Sequence, residues 1–407
     1  MGKYLKAILS TLLALAVLTS CTIPEGDGKR DYDENEIDGQ VVGGMTSFAF
    51  ELFKELNREE GGGNIFISPL SVSTALTMTY NGAGGQTREE MKESLGYSGV
   101  SDEKTNASFE NLIPYLMQAD ETVEIDISNS IWYRTGEPIG SAFLEKSEKV
   151  FDASVEEMDF QKPDSADIIN GWISDSTNGK IDKMIDPPIP PDLVMYLINA
   201  VYFKGEWTNA FDEERTYETD FTEESGDVKT VKMMSSKGKI DFGETGDFKI
   251  VRLPYGNGKL SMYLVMPKGG KDVNDLIEAM DEEFWEEMKD SIFETDDLIL
   301  GVPRFEMEYG IKKLNKALMS MGMEKAFGAQ ADFSGIRDGI FISRVLHKAV
   351  IEVNEKGSEA AAATVVEMLE SAAAEPVTFV ADRPFLFMIA DDVHGNILFM
   401  GKYAQVE

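Results

Sequence analysis

Residues 355–379 read EKGSEAAAATVVEMLESAAAEPVTF, and this stretch supports two opposite interpretations. Ala, Glu, Met and Leu are strong helix formers, so local propensity favours a surface helix from about Ser358 to Glu375. Val365 and Val366 disfavour a helix slightly, and the alanine run offers no apolar stripe that could pack against a core. The helical interpretation therefore fits this segment poorly.

The same stretch is more informative when it is read as a strand, with side chains alternating between two faces. One face carries no charge and grows only gradually in size: Ser358, Ala360, Ala362, Thr364 and Val366. The other face carries both glutamates: Glu359, Ala361, Ala363, Val365 and Glu367. Such a segment can lie outside as a loop or enter a sheet without burying a charge. Gly357 supplies backbone freedom where the chain would have to turn.

The surrounding chain predicts one large α+β domain from residue 45 to residue 407. Helical spacing occurs at Phe48, Leu52, Phe53 and Leu56, and again after Ser71, which could cap that second helix. Strand patterns dominate later and include Val123–Trp132, Val194–Phe203, Lys249–Leu253, Ser261–Met266, Asp297–Val302, Val377–Val380, Phe385–Ile389 and Ile397–Met400. This order of elements argues against regular βαβ repeats.

Several further motifs lie along this domain: NIFISPLSVSTALTMTYNGA from Asn64, NGWISDSTNGKIDKMI from Asn170, LINAVYFKGEWTNAFD from Leu197, LPYGNGKLSMYLVMP, VPRFEMEYGIKKLNKALMSMGMEKAF, ADFSGI, and RPFLFMI with LFMGKY. Together they resemble the motifs of the serpin family. They cover residues 45–407 in the family's order, and 355–364 resembles the hinge of its reactive-centre loop. The resemblance implies the serpin fold, with three β-sheets, about nine helices and an exposed loop at about 355–380.

What the resemblance implies about activity is inhibition of serine proteases by a suicide-substrate mechanism. The protease attacks the loop and forms an acyl-enzyme, and the cleaved loop then inserts into the main sheet. Counting as in the family gives Ser371–Ala372 as the reactive bond, within a window of about 370–373. A small residue there suits elastase-like or subtilisin-like proteases, whereas Glu370 or Leu369 would suit glutamate-preferring or chymotrypsin-like ones.

The resemblance also assigns roles to individual residues. The hinge is Glu355, Gly357, Ser358, Glu359, Ala360, Ala361, Ala362, Ala363 and Thr364. The shutter, a hydrogen-bonded cluster beneath the opening sheet, is Ser68, Ser71, Asn199 and His347. Trp207 matches the breach, where the loop first enters the sheet.

Residues 107–119 contain no Lys or Arg, so no polyanionic cofactor is expected, and the protein is expected to be a monomer. The alternative function is a non-inhibitory serpin that acts as a binding or chaperone-like protein.

The charge of the chain limits its partners. It has 73 acidic residues against 38 Lys and Arg, a formal net charge of −35. Such a surface repels nucleic-acid phosphates and anionic lipid headgroups, so neither is an expected partner of the folded domain.

The N-terminus predicts export. Lys3 and Lys6 precede an apolar segment that is too short to span a bilayer, as in a signal peptide at residues 1–20. Cys21, the single cysteine, follows in a context that resembles the lipobox of prokaryotic lipoproteins. Residues 21–44 then predict an acidic flexible tether. The protein is expected at the extracellular face or cell envelope, with a lipid on Cys21 as its only membrane contact.

The motifs of common enzymes are missing from the sequence. The chain has two histidines, His347 and His394, and lacks the G-x-S-x-G, H-E-x-x-H and phosphate-binding loop patterns. A triad of Ser68 or Ser71 with His347 and an aspartate is conceivable, but only geometry can identify one. The sequence therefore predicts a protein that is not an enzyme and needs no cofactor or metal.

Overall fold

The computed structural model of the chain describes residues 30–358 and 377–406. Within these ranges nine α-helices occur: α1 (Gly39–Glu60), α2 (Pro69–Tyr80), α3 (Gly85–Ser94), α4 (Asp102–Met117), α5 (Ser141–Phe151), α6 (Ser165–Asp175), α7 (Val273–Ala279), α8 (Glu282–Asp290) and α9 (Asn315–Ser320). The strands are β1 (Ile65–Ile67), β2 (Val123–Arg134), β3 (Ser154–Met158), β4 (Met195–Glu206), β5 (Tyr217–Thr222), β6 (Val228–Glu244), β7 (Phe248–Tyr255), β8 (Leu260–Pro267), β9 (Phe293–Pro303), β10 (Phe305–Lys313), β11 (Leu346–Val353), β12 (Gly357–Ser358), β13 (Thr378–Val380), β14 (Phe385–Asp391) and β15 (Ile397–Tyr403).

These strands form three sheets within the described ranges. A nine-stranded sheet has the order β1-β15-β14-β8-β7-β6-β9-β13, with β5 paired to β6. A four-stranded sheet has the order β12-β4-β2-β3, and a two-stranded sheet pairs β10 with β11. The predicted α+β fold with three sheets and nine helices is thereby confirmed for this part of the chain.

The main core lies where helices cover the nine-stranded sheet. Every residue of β8, β14 and β15 is buried. Helices α1 and α2 pack against β15, α7 packs against β8, and β14 lies between these two strands in the sheet. The stripe of Phe48, Leu52, Phe53 and Leu56 on α1 is buried, as its spacing predicts. A smaller second core lies beneath α6, between that helix and strands β2 and β4.

Two predictions about helix starts are wrong. The tether does not extend to residue 44, because α1 begins at Gly39 with Asp38 as its N-cap, and Val41 and Val42 are buried. The polar and glycine-rich composition of residues 22–44 concealed this start. Gly44 is required by packing inside the helix, because an added Cβ would lie 2.3 Å from the Gly96 carbonyl oxygen. The second helix begins at Pro69 rather than after Ser71, because the hydroxyl oxygen of Ser68 caps it by accepting from the Ser71 N–H.

No helix in the described part of the chain is both long enough and apolar enough to cross a membrane.

Candidate functional site

The resemblance predicts one main sheet into which the loop inserts, whereas the structure has two separate smaller sheets at this place. The four-stranded sheet reaches β4 and the two-stranded sheet reaches β11, and no strand pairing joins β4 to β11 within the described residues. A cavity of about 30 Å³, room for about one water, lies between them, lined by Val201 and Phe203 of β4 and by Val350 and Ile351 of β11. We call this space the gap.

The directions of the strands around the gap determine what could fill it. β12 runs antiparallel to β4, with Gly357 opposite Glu206 and Ser358 opposite Gly205. Gly357 also bridges back, antiparallel, to Asn354 just beyond β11. β4 and β11 are therefore parallel, and a strand that continued β12 would run antiparallel to both.

Helix α6 covers the outer face of the gap. Its side chains Ile169 and Ile173 belong to the second core with Ile198 of β4, and Val350 of β11 packs against that core. Asn170 fixes the chain that follows the helix: its side-chain oxygen accepts from the N–H groups of Met184 and Ile185, at 2.9 Å each. A strand entering the gap would pass beneath this helix.

The four predicted shutter residues lie together at one end of the gap, beside the N-terminal halves of β4 and β11. The Ser68 N–H donates to His347 Nε2 at 3.1 Å, and the Ser68 hydroxyl donates to the Leu398 carbonyl oxygen at 2.8 Å. The Ser71 hydroxyl contacts the Asn199 carbonyl oxygen at 3.5 Å. The cluster links α2, β4, β11 and β15.

His347 is a neutral hydrogen-bond acceptor in this cluster. Complete burial lowers the pKa of its imidazole to about 4, so the ring is uncharged near neutral pH. Because Nε2 accepts a hydrogen bond, the proton of the neutral ring is on Nδ1. The contact with Ser68 uses a backbone N–H and not the hydroxyl, so this pair does not have the arrangement of a nucleophile and its base.

Asn129 extends the cluster, and sequence reasoning missed it. It lies opposite Asn199 in the β2–β4 ladder, and the Asn199 side-chain amide donates to its Oδ1 at 2.7 Å. Asn129 in turn donates to the Phe151 carbonyl oxygen at 2.7 Å. Oδ1 of Asn199 is buried and has no hydrogen-bond partner among the described residues, which leaves one acceptor free beside the gap. The sequence holds one signal for Asn129, since it is a polar residue at a position of β2 where the alternating pattern predicts an apolar side chain.

At the other end of the gap, the first hinge residues are tightly packed. Gly357 has φ of 144°, and an added Cβ would lie 2.0 Å from the Gly205 carbonyl oxygen, so only glycine fits. The Ser358 side chain is buried, and its hydroxyl lies 3.1 Å from the hydroxyl of Tyr255.

Glu355 anchors the turn before the hinge. Its side chain is only 2% exposed, yet it is charged: the Thr216 hydroxyl donates to it at 2.6 Å, and Arg304 forms an ion pair with it. Burial opposes ionisation, but the hydrogen bonds from Thr216 and Arg304 outweigh it and hold the pKa of Glu355 below its usual value. Neither partner is near Glu355 in sequence, so sequence reasoning missed both.

Trp207, the predicted breach residue, lies at this turn. Its backbone N–H donates to the Lys356 carbonyl oxygen at 2.9 Å, and its indole N–H donates to the Asn354 carbonyl oxygen at 3.0 Å. The indole stacks on Tyr255 with ring centroids 4.4 Å apart. Trp207 therefore joins the turn to the end of β4.

Some predicted site residues lie outside the described ranges: Glu359, Ala360, Ala361, Ala362, Ala363 and Thr364 of the hinge, the reactive bond Ser371–Ala372, and Cys21. Within the described ranges, no group of three or more His, Cys, Asp or Glu is arranged to hold a metal ion.

Comparison with known proteins identifies the family. A family profile described as "Serpin (serine protease inhibitor)" matches residues 44–406. The chain is 35% identical to an uncharacterized serpin-like protein of Methanosarcina acetivorans, over 95% of this chain and 91% of that protein. It is 32% identical to the leukocyte elastase inhibitor of Sus scrofa, over 89% and 98% of the two chains. The crystal structure of the thermophilic serpin tengpin in its native state matches with a TM-score of 0.80 at 30% identity, covering 93% and 96%. The chain belongs to the serpin family.

Proposed function

We propose that this serpin inhibits serine proteases as a suicide substrate whose cleaved loop inserts into the gap. The observation that carries the proposal is the gap itself: among the described residues two parallel strands face each other without pairing, and β12 already starts a strand antiparallel to both. Membership of a family that contains inhibitors, among them the leukocyte elastase inhibitor, supports the same function.

The register of β12 supports insertion, because it gives the correct face to each side chain. If the register continues, Ala360 lies opposite Phe203 and Thr364 lies opposite Asn199. Phe203 packs against Tyr255 and Phe399, so this face of β4 is turned toward the core. The uncharged face of the loop would then meet the core, as Ser358 does.

Polar groups are matched in the same register. Glu359 would lie opposite Lys204 on the other face, so the first glutamate meets a cation instead of the core. The Thr364 hydroxyl would come beside Asn199, whose Oδ1 has no partner among the described residues. Insertion as far as Thr364 would therefore satisfy a buried acceptor and place no charge on the core-facing side.

The covalent steps balance as follows. The protease's serine oxygen attacks the Ser371 carbonyl carbon, the Ser371–Ala372 C–N bond breaks, and the Ala372 amine leaves with a proton relayed by the protease. Residues 359–371 remain attached to the protease as an acyl ester. Thirteen residues at about 3.3 Å each span roughly 43 Å, about the length of a twelve-residue strand such as β4. Full insertion would carry the protease to the far end of the sheet.

The first experiment mixes the purified protein with pancreatic elastase and with subtilisin, followed by a denaturing gel and mass spectrometry. We expect a stable band near the summed masses and a released fragment that begins at Ala372. Cleavage of the loop without that band would contradict inhibition of these enzymes and favour a non-inhibitory role.

A pair of variants tests insertion directly. Ala360→Arg introduces a cation on the core-facing side, so we expect the stable band to fall by at least tenfold, with cleaved protein replacing it. Glu359→Arg introduces the same side chain one residue earlier on the outward face. It loses only the surface contact with Lys204, worth about 0–1 kcal/mol, so it should retain most of the inhibition. Equal inhibition by both variants and the wild type would refute loop insertion.

Export and lipid attachment at Cys21 are a separate proposal, supported by the apolar segment before that cysteine. Labelling of the expressing cells with a clickable fatty acid should mark the protein, and Cys21→Ala should abolish the label. An unlabelled wild-type protein would refute lipidation.

A further inference from the structure

A second cavity, of about 870 Å³, lies beside the hinge turn and outside the gap. This volume is in the range of small-molecule sites. Its walls come from β6, β7, β9, the segment after β4, and Lys356 of the hinge turn. Nothing in the proposed inhibitory mechanism requires a space of this size here.

The chemistry of the walls is amphipathic. The apolar lining consists of Trp207, Phe211, Ile240, Leu253, Pro254 and Leu300. Five cationic side chains also border the cavity: Arg215, Lys237, Lys239, Arg252 and Lys356. These five cations outnumber the four carboxylates of the lining, so the cavity is locally positive in a chain whose net charge is −35 and can attract an anion.

Three of these cations form only long ion pairs with neighbouring carboxylates. Lys237 lies 3.6 Å from Asp297, Lys356 lies 3.7 Å from Glu213, and Arg215 lies 3.7 Å from Asp212, all at the protein surface. Surface pairs of this kind contribute about 0–1 kcal/mol, so a ligand carboxylate or sulfonate can replace the present partner at little cost. Arg252, by contrast, is held by Asp241 at 2.8 Å and Asp392 at 2.6 Å.

Four carboxylates share the rim: Asp212, Glu213, Asp241 and Glu294. Asp241 is engaged by Arg252 and Glu294 by Lys239, at 2.8 and 2.9 Å, so neither is free to attract a cationic ligand. We infer that this cavity binds a small amphipathic organic anion, with its apolar body against Trp207 and Leu253 and its acidic group at Lys237 and Lys356.

Occupancy would also affect the hinge turn, because Trp207 holds the carbonyl oxygens of Asn354 and Lys356. A bound anion on Lys356 would stabilise the turn in its present position and slow insertion. This consequence rests on the proposed function, whereas binding itself does not.

The test uses the full chain and two flat dyes of opposite charge, anilinonaphthalene sulfonate as the anion and thioflavin T as the cation. We expect one anionic dye per protein, quenching of tryptophan emission, and at least tenfold weaker binding of the cationic dye. Binding of the cationic dye with equal or higher affinity would overturn the proposal. Near-UV circular dichroism confirms that the protein stays native, since partly folded states also bind such dyes.

Matched charge reversals locate the site. The double variant Lys237→Glu with Lys239→Glu should weaken binding of the anionic dye at least tenfold. The double variant Lys229→Glu with Lys232→Glu makes the same change on the same strand outside the cavity, and should stay within twofold of the wild type. Equal losses in both variants would mean that only the overall charge matters, and would refute the site. If dye binds as expected but protease inhibition is absent, the proposed function fails and the binding site stands.

Discussion

The two ends of the gap are held by different kinds of interaction. At the shutter, the contacts are neutral hydrogen bonds among buried groups, such as Ser68 with His347 and Asn199 with Asn129. At the hinge turn, the central contact is charged, between the buried carboxylate of Glu355 and Arg304. Neutral groups can exchange partners at modest cost, whereas a buried charge that lost all of its partners would be strongly destabilising. The shutter is therefore suited to open, and the turn is suited to stay fixed as a pivot.

The largest effect should come from Gly357→Ala, which tests whether the turn is a fixed pivot. Both the positive φ and the contact with the Gly205 carbonyl oxygen oppose a side chain, so we expect a loss of about 3 kcal/mol or more. Gly339→Ala is the control, since Gly339 also has a positive φ but nothing within 4 Å, and should cost about 1 kcal/mol. Urea midpoints measure both, and equal shifts would show that the turn adapts freely.

Acid should weaken the shutter before it weakens the turn. His347 has a pKa of about 4 in the folded protein and about 6.5 when unfolded, so the unfolded chain binds the extra proton. Stability from this group is complete above pH 6.5 and is lost as the pH falls toward 4, by about 3 kcal/mol in total. Urea midpoints between pH 7 and pH 4.5 should reveal the slope.

His347→Gln separates protonation from hydrogen bonding. Glutamine can still accept from the Ser68 N–H but does not titrate, so the slope between pH 6.5 and 4.5 should shrink. His347→Leu removes the acceptor as well and should cost about 1–3 kcal/mol even at pH 7. An unchanged slope in His347→Gln would assign the acid sensitivity to other groups.

The smallest effect should come from Arg304→Met, which removes one partner of Glu355. Arg304 is partly exposed and Thr216 still donates, so we expect a loss of about 1–2 kcal/mol at pH 7. The pKa of Glu355 lies below its usual value, so its contribution is present at neutral pH and disappears as the carboxyl protonates in acid. Arg383→Met, which breaks the exposed pair with Asp382, should be nearly neutral. The comparison of the two ends fails if both arginine variants behave alike.

Much of the fold could be predicted from local patterns. All eight predicted strands occur, and most of them are longer than predicted. They could be recognised because apolar runs such as that of β8 reflect burial on both faces. The pattern missed β6, whose seventeen residues carry several exposed lysines along a partly solvent-facing strand. It also missed β10 and β11, where buried residues, among them the polar His347, alternate with Glu and Lys.

The candidate site, like the fold, could be predicted from the sequence only in part. The resemblance named Ser68, Ser71, Asn199 and His347, and the structure brings all four together. It did not name Asn129, Thr216 or Arg304, because their importance depends on partners distant in the chain. The roles assigned to the reactive bond and to residues 359–364 stay predictions.

The sequence by itself determined the serpin family, the small uncharged face of the hinge and the positions of eight strands, since these follow from residue type and local spacing. Only the tertiary structure decided the start of α1 at Gly39, the charged anchor at Glu355, and the register that aligns Ser358 with Gly205. Each of these depends on burial or on hydrogen bonding between distant segments. Packing of the whole domain, and not local propensity, determines which groups lose contact with water and must find partners.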